Sequence, residues 1–193
     1  MLSTDPYSQF TLWFEQAAAN ESADHDAATI ATANSNGRPS ARMVLVRAYD
    51  HRGFVFYTNL ESRKTREMAA NPYAALCFYW KSTDRQIRIE GRVDLVDDAE
   101  ADAYFAKRPY ESQIGAWASK QSQVLEQRNI LEERVVKYEK QFVNNRVPRP
   151  EFWSGYRLAP DKFEFWDRRP HRLHDRTLYS REGDGWVGTK LYP

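Results

Sequence analysis

Residues 85–96, RQIRIEGRVDLV, alternate polar and branched apolar side chains. A period of two is the mark of a strand with one face buried. Gln86, Arg88, Glu90 and Arg92 fall on one face, and Ile87, Ile89 and Val93 on the other. Similar segments recur along the chain with turn residues between them. ATIATANSNGRPSARMVLVRAYD reads as a hairpin with Asn36-Gly37 near its turn. GFVFYTNL and YAALCFYW read as strands, and WSGYRL, KFEFW, RLHDRTLYS and GWVGTKLYP as shorter ones. Helical periodicity occupies the remainder. DPYSQFTLWFEQAAAN has Asp5 as its cap, Pro6 in its first turn and an apolar stripe of Phe10, Trp13, Phe14, Ala17 and Ala18. SRKTREMAANP is opened by Ser62 and stopped before Pro72; DDAEADAYFAKRP is stopped by Pro109; SQVLEQRNILEERVVKYEKQF is longer and charged. Strands in succession with short turns, plus peripheral helices, predict an α+β fold with a mostly antiparallel sheet that can close into a barrel. No repeat or linker divides residues 1–193, so one domain is expected.

Several function classes are disfavoured. The net charge is +1, whereas a bulk nucleic-acid binder is usually strongly basic. No apolar run approaches the ~18 residues of a membrane span. MLSTDPYSQF has neither the basic start nor the apolar core of a signal peptide. The single Cys77, in YAALCFYW, has no internal partner and reads as a buried, inert thiol. A cytoplasmic protein without nucleic-acid or membrane partners is expected. GDGWVG spells GxGxxG, but only five residues follow Gly188, too few for the helix a dinucleotide fold requires. His171 and His174 are three apart but surrounded by arginines, so no metal site is expected.

What remains is cations set beside hydroxyls and aromatics. Thr58 closes a strand, and Arg63 and Lys64 open the next helix; free N–H groups and the helix dipole would there add to the side-chain charge. Taken alone, such a pair is more often a solvated helix start. Tyr104 and Arg108 share a helix face and Ser112 follows the helix end, a plausible cup for a second phosphate. Gln121 and Ser122 stand near a third helix start, where Ser122 could instead be its cap. Arg42 and Arg47, five apart, would point to opposite faces of a regular strand. Either a bulge intervenes or each serves a different ligand. In RRPHRLHDR an extended chain would put Arg172, His174 and Arg176 on one face.

ARMVLVRAYD, GFVFYTNLESRK, RQIRIEGRV, SQIGAWASKQS, FWSGYRL, FEFW and HRLHDR, in this order and spacing, resemble the pyridoxamine 5'-phosphate oxidase family over nearly the whole chain. The resemblance implies a split β-barrel, with residues from about 150 to 193 contributing to the active site and to a homodimer interface that holds FMN. It implies oxidation of pyridoxamine 5'-phosphate or pyridoxine 5'-phosphate to pyridoxal 5'-phosphate, with O2 as acceptor and hydrogen peroxide as product. On this likeness FMN would be held by Arg42, Met43, Val44, Leu45, Val46, Arg47, Tyr57, Thr58, Arg63, Lys64, Gln86, Gln121, Ser122, Trp166 and Arg176. The substrate would meet Arg47, Tyr104, Arg108, Ser112, Arg172, Leu173 and His174, with Arg172 and His174 against the reacting ring. The family commonly has lysine where this chain has Arg47, a longer and planar group. Longer members carry an N-terminal arm over the substrate; this chain begins almost at its first helix, so that lid is expected to be absent or supplied differently. Two other functions remain open: a related flavin oxidase acting on a phenazine precursor, and a non-enzymatic carrier of flavin or pyridoxal phosphate.

Overall fold

The computed structural model describes residues 5–143 and 146–193; Met1–Thr4, part of the stretch read above for a signal peptide, lie outside the described residues. Helix α1 (Pro6–Asn20) is followed by β1 (Ala27–Ala33), β2 (Pro39–Asp50), β3 (Gly53–Asn59), α2 (Arg63–Ala70), β4 (Tyr73–Trp80) and β5 (Arg85–Leu95). Then come α3 (Asp98–Lys107), α4 (Tyr110–Ala118), α5 (Arg128–Gln141), β6 (Trp153–Asp167), β7 (Asp175–Glu182) and β8 (Gly185–Leu191). The sheet order is β3-β2-β1-β4-β5-β6-β7-β8, and β3 also pairs with β6. That last pairing closes six antiparallel strands into a barrel and leaves β7 and β8 as an extension from β6. This is the mostly antiparallel α+β barrel expected from the strand pattern, and the split barrel that the family resemblance implies.

The alternation read in residues 85–96 holds. Ile87, Ile89 and Val93 are buried, whereas Arg88 and Arg92 are exposed. α1 is capped as its sequence indicates, with the Asp5 carboxylate accepting from the backbone N–H groups of Tyr7 and Ser8. It lays Phe10, Trp13 and Ala17 on the core, and the Phe10 ring meets Phe54 edge-on at 4.8 Å. Ala18 is exposed and does not belong to the stripe.

Other expectations are corrected. WSGYRL and KFEFW are one fifteen-residue strand, β6. Pro160 looks like a break, but a bulge between Glu90 and Gly91 in the β5–β6 register leaves Asp161 unpaired, and proline is tolerated at such a point. The charged helix starts at Arg128, with Gln127 as its cap, not at Ser122. A separate helix, α4, follows Pro109, so Ser112 lies in its first turn and not beyond a helix end. The Gln113 side-chain amide turns back to donate to the carbonyls of Phe105 and Arg108, which satisfies the free end of α3 and joins the two helices. Cys77 is half-buried, and burial raises its thiol pKa. That agrees with an inert thiol.

Candidate active site

The strand end and helix start named above are tied to the segment after α4 in one hydrogen-bonded cluster. Thr58, near the end of β3, and Lys64, in the first turn of α2, are both buried. The Lys64 ammonium donates to Thr58 Oγ1 at 2.8 Å, Ser62 Oγ at 3.1 Å and Gln121 Oε1 at 2.8 Å. The Thr58 hydroxyl in turn donates to Gln121 at 3.0 Å, tying β3 to the segment after α4. Ser62 caps α2 by position, but its hydroxyl serves Lys64 and Thr65 and makes no cap bond. Among the described residues no carboxylate pairs with Lys64; all three acceptors are neutral. Burial, with the Arg42 charge adding to it, pushes the ammonium down to about 8. A buried cation with only neutral partners is suited to pairing with an anion. Arg42 and Arg63 flank it, both on the Glu67 carboxylate, at 3.3 and 2.8 Å. Ser122, with φ at +69°, lies beside Gln121 in the turn after α4. The donor set fits the phosphate of a mononucleotide such as FMN.

Within β2, Val44 and Val46 point into the core, whereas Leu45 is only partly covered and Met43 is exposed, its sulfur accepting from Thr29. These four residues line the strand without supplying charge. On the parity question, a bulge does intervene. The β2–β3 register shifts between Val46 and Ala48, so a bulge falls on Arg47. Arg42 reaches Glu67, and Arg47 turns to the opposite side and pairs with Asp26 at 2.7 Å.

The second cup sits next to the first. Tyr57 stacks on Tyr104 at 3.8 Å and on Trp153 at 5.4 Å, almost parallel to both. Gly155 makes room for this stack, since a Cβ there would meet the Tyr57 ring at 2.8 Å. The Arg108 guanidinium lies 4.8 Å over Trp153 and donates to the Ser112 carbonyl at 3.0 Å. Burial lowers the pKa of Arg108 and the nearby positive charge of Arg47 lowers it further. Arg108, half-buried over an aromatic floor and repelled by Arg47, has the chemistry of an anion-binding group.

The remaining residues lie elsewhere. Gln86, Trp166 and Arg176 form one row across β5, β6 and β7. Thr58 pairs with Ser154 on β6, twelve residues before Trp166, which is on the order of 40 Å of strand. Arg176 is held by Glu164 at 2.8 Å, and Glu164 also pairs with Arg88 at 3.0 Å. The Trp166 and His174 rings are 4.4 Å apart, and His174 Nδ1 accepts from the Arg169 backbone N–H, which assigns the proton of a neutral ring to Nε2. The expected extended conformation of HRLHDR is not found. β7 begins only at Asp175, Pro170–Arg172 is a 3-10 turn, and His171 and Arg172 are left-handed, with φ of +58° and +62°. Arg172 therefore does not share a strand face with His174 and Arg176; it rims an open cleft of about 970 Å3 together with Trp166, His171 and His174. Leu173 is exposed beside it. Left-handed non-glycine residues in succession are strained, a feature that concentrates at ligand sites.

Three comparisons bear on this arrangement. A family model described as "Pyridoxamine 5'-phosphate oxidase" matches residues 14–142. The chain belongs to this family. Residues 153–193 match a second model, described as "Pyridoxine 5'-phosphate oxidase C-terminal dimerisation region". Similar proteins named pyridoxine/pyridoxamine 5'-phosphate oxidase include one from Myxococcus xanthus, 53% identical over 100% of this chain and 94% of the relative. Another, from Sphingopyxis alaskensis, is 54% identical over 100% of this chain and 89% of its own length. Among solved structures, PhzG from Burkholderia lata in complex with tetrahydrophenazine-1-carboxylic acid superposes with a TM-score of 0.93 at 32% identity, covering 99% of this chain and 94% of that one.

Within this family framework, three contributors escaped the reading of the sequence. Glu67 and Glu164 are buried under the arginines they hold, and Asp26 holds Arg47. Only Glu67 left a local trace, four residues after Arg63 on one helix face. Lys64, Glu67 and Glu164 are the buried charged side chains of the described residues, and each serves one of the two clusters. No helix among the described residues is long and apolar enough to cross a membrane.

Proposed function

We propose that the protein is an FMN-dependent oxidase of pyridoxamine 5'-phosphate and pyridoxine 5'-phosphate, working as a cytoplasmic homodimer. The observation that carries this reading is the pair of neighbouring anion sites. The Thr58–Lys64–Gln121 pocket, flanked by Arg42, Arg63 and Ser122, suits the phosphate of FMN. The Tyr104–Arg108–Ser112 cup, with Arg47 near it, suits the phosphate of a substrate. Relatives named for this activity at 53–54% identity support the same assignment, against 32% for the phenazine-bound neighbour.

When bound, FMN supplies the two-electron acceptor: the C4' carbon of the substrate gives up hydride, and the electrons pass on to O2, leaving hydrogen peroxide. The protein's part is positional. Arg108 and the Tyr57–Tyr104 stack fix the phosphate end of the substrate. Arg172 and His174, at the rim of the cleft, would orient the ring. Gln86, Trp166 and Arg176 would face the isoalloxazine, with Arg176 offering charge stabilisation. With the amine substrate, water hydrolyses the resulting imine and ammonia leaves. The phosphate-binding cluster and the Gln86–Trp166–Arg176 row lie far apart along β6, which supports a site completed by a second copy, in keeping with the dimerisation region matched by residues 153–193.

Anaerobic addition of pyridoxamine 5'-phosphate to the FMN-loaded protein tests the reading. Bleaching of the oxidised flavin bands is expected, followed by recovery of colour and release of peroxide on admitting air. Persistent colour would indicate a carrier, and bleaching only by a dihydrophenazine would indicate the related oxidase. Sedimentation should show a dimer at micromolar concentration; an FMN-saturated monomer would exclude the shared site.

A further inference from the structure

Glu67 stands under the phosphate pocket with a uniform set of hydrogen bonds. The Thr32 hydroxyl and the Ser40 hydroxyl both donate to its Oε2, at 2.5 and 2.6 Å. Arg42 donates to that same Thr32 oxygen at 2.5 Å, to the Ser40 oxygen, and directly to Glu67 at 3.3 Å. Arg63 donates to Oε1 at 2.8 Å. A guanidinium has only donors, so both hydroxyl protons must point on toward the carboxylate. This orientation of the network requires Glu67 to be ionised. Burial alone would raise its pKa, but the hydrogen bonds from Ser40, Thr32 and Arg63 outweigh that and hold it down to about 2. The charge is also matched. Arg42, Arg63 and Lys64 carry three positive charges and Glu67 one negative, leaving two, and a phosphate monoester carries about −1.5 to −2 near neutral pH.

We propose that Glu67 is a positioning residue for the cofactor phosphate: it aims Arg42 and Arg63 into the pocket and trims the pocket's charge to that of the dianion. The inference rests on the reading of this pocket as the FMN phosphate site. It is separable from simple electrostatics, because the two accounts predict opposite signs. If charge alone mattered, Glu67→Gln would raise the net positive charge and tighten FMN binding. If Glu67 aims the arginines, the amide reverses one donor, disorders both guanidiniums and weakens binding, by ~10–100-fold on the scale seen when outer-shell partners of bound ions are removed.

The test is a titration of full-length apoprotein with FMN, followed by flavin fluorescence, for wild type, Glu67→Gln, Arg42→Gln and the double variant, each checked for native circular dichroism. Glu67→Gln is expected to bind FMN ~10–100-fold more weakly. Arg42→Gln is expected to cost much less in the Glu67→Gln background than in wild type, because the guanidinium is already misplaced. Unchanged or tighter binding by Glu67→Gln, or additive losses, would overturn the proposal. Should Glu67→Gln prove unfolded, Ser40→Ala removes one relay and leaves the carboxylate; a ~3–10-fold loss is expected, and no loss would overturn the proposal equally. Failure of wild type itself to bind FMN would instead refute the cofactor assignment.

Discussion

Raising the pH from 7 to 9 should weaken FMN binding about tenfold, through one proton on Lys64. In the free pocket burial, reinforced by Arg42, holds this ammonium at about 8, against its ordinary 10.5. Its partners there are the neutral oxygens of Thr58, Ser62 and Gln121. A phosphate in the pocket would favour the charged form and restore the pKa to its ordinary range or above. Binding above pH 8 therefore takes up a proton, and affinity falls toward tenfold per pH unit. At pH 7 the lysine is already charged; at pH 9 it stands one unit above its free value, so the loss is about tenfold, or ~1.4 kcal/mol. The phosphate itself stays dianionic over this range, since its second pKa is near 6. The same proton acts on the apoprotein with the opposite sign. Between about 8 and 10.5 the folded chain binds fewer protons than the unfolded chain, so this lysine makes stability rise with pH across that window. Fluorescence titrations with FMN at pH 7, 8 and 9 and constant ionic strength measure the first effect. Lys64→Met should bind weakly and with a flat profile. Equal wild-type affinity at pH 7 and 9 would refute the argument.

Other substitutions separate the parts of the site. Gly155→Ala would drive a Cβ to 2.8 Å from the Tyr57 ring and 2.9 Å from Val96, so a loss of ~1–3 kcal/mol in urea unfolding and a raised KM for the phosphorylated substrate are expected; unchanged values would show that the Tyr57–Tyr104 stack yields freely. Arg108→Ala should raise KM by ~10–100-fold while FMN affinity stays within about twofold, because this guanidinium lies over Trp153 and is no part of the hydrogen-bonded Lys64 cluster; parallel loss of FMN would merge the two anion sites. Arg176→Ala should slow flavin reduction for every substrate or weaken FMN, whereas Arg172→Ala should keep FMN and lose ~10–1000-fold in kcat/KM; stopped-flow reduction giving small, equal effects would return this stretch to a solvated turn.

Local patterns determined most of the elements. Alternation in residues 85–96, the Asp5–Pro6 helix start and the Ser62–Pro72 bounds of α2 are set by side chains close in sequence, and each appears where local chemistry puts it. The family motifs marked candidate site residues in the same way, because a motif records spacing along the chain. Tertiary structure decided what spacing cannot carry. The partners of Arg42, Arg47 and Arg176, which are Glu67, Asp26 and Glu164, lie 25, 21 and 12 residues away, and only sheet register and helix packing bring them together. Pro160 looked like a strand end because a bulge that accommodates proline depends on the neighbouring strand. Arg172 looked extended because the left-handed turn at His171 and Arg172 is held from outside, with His174 packed on Trp166 and Arg169 paired with Asp167 and Asp175. The division of the site into two clusters along β6 follows from closing the barrel through β3 and β6, a long-range pairing that no local segment encodes.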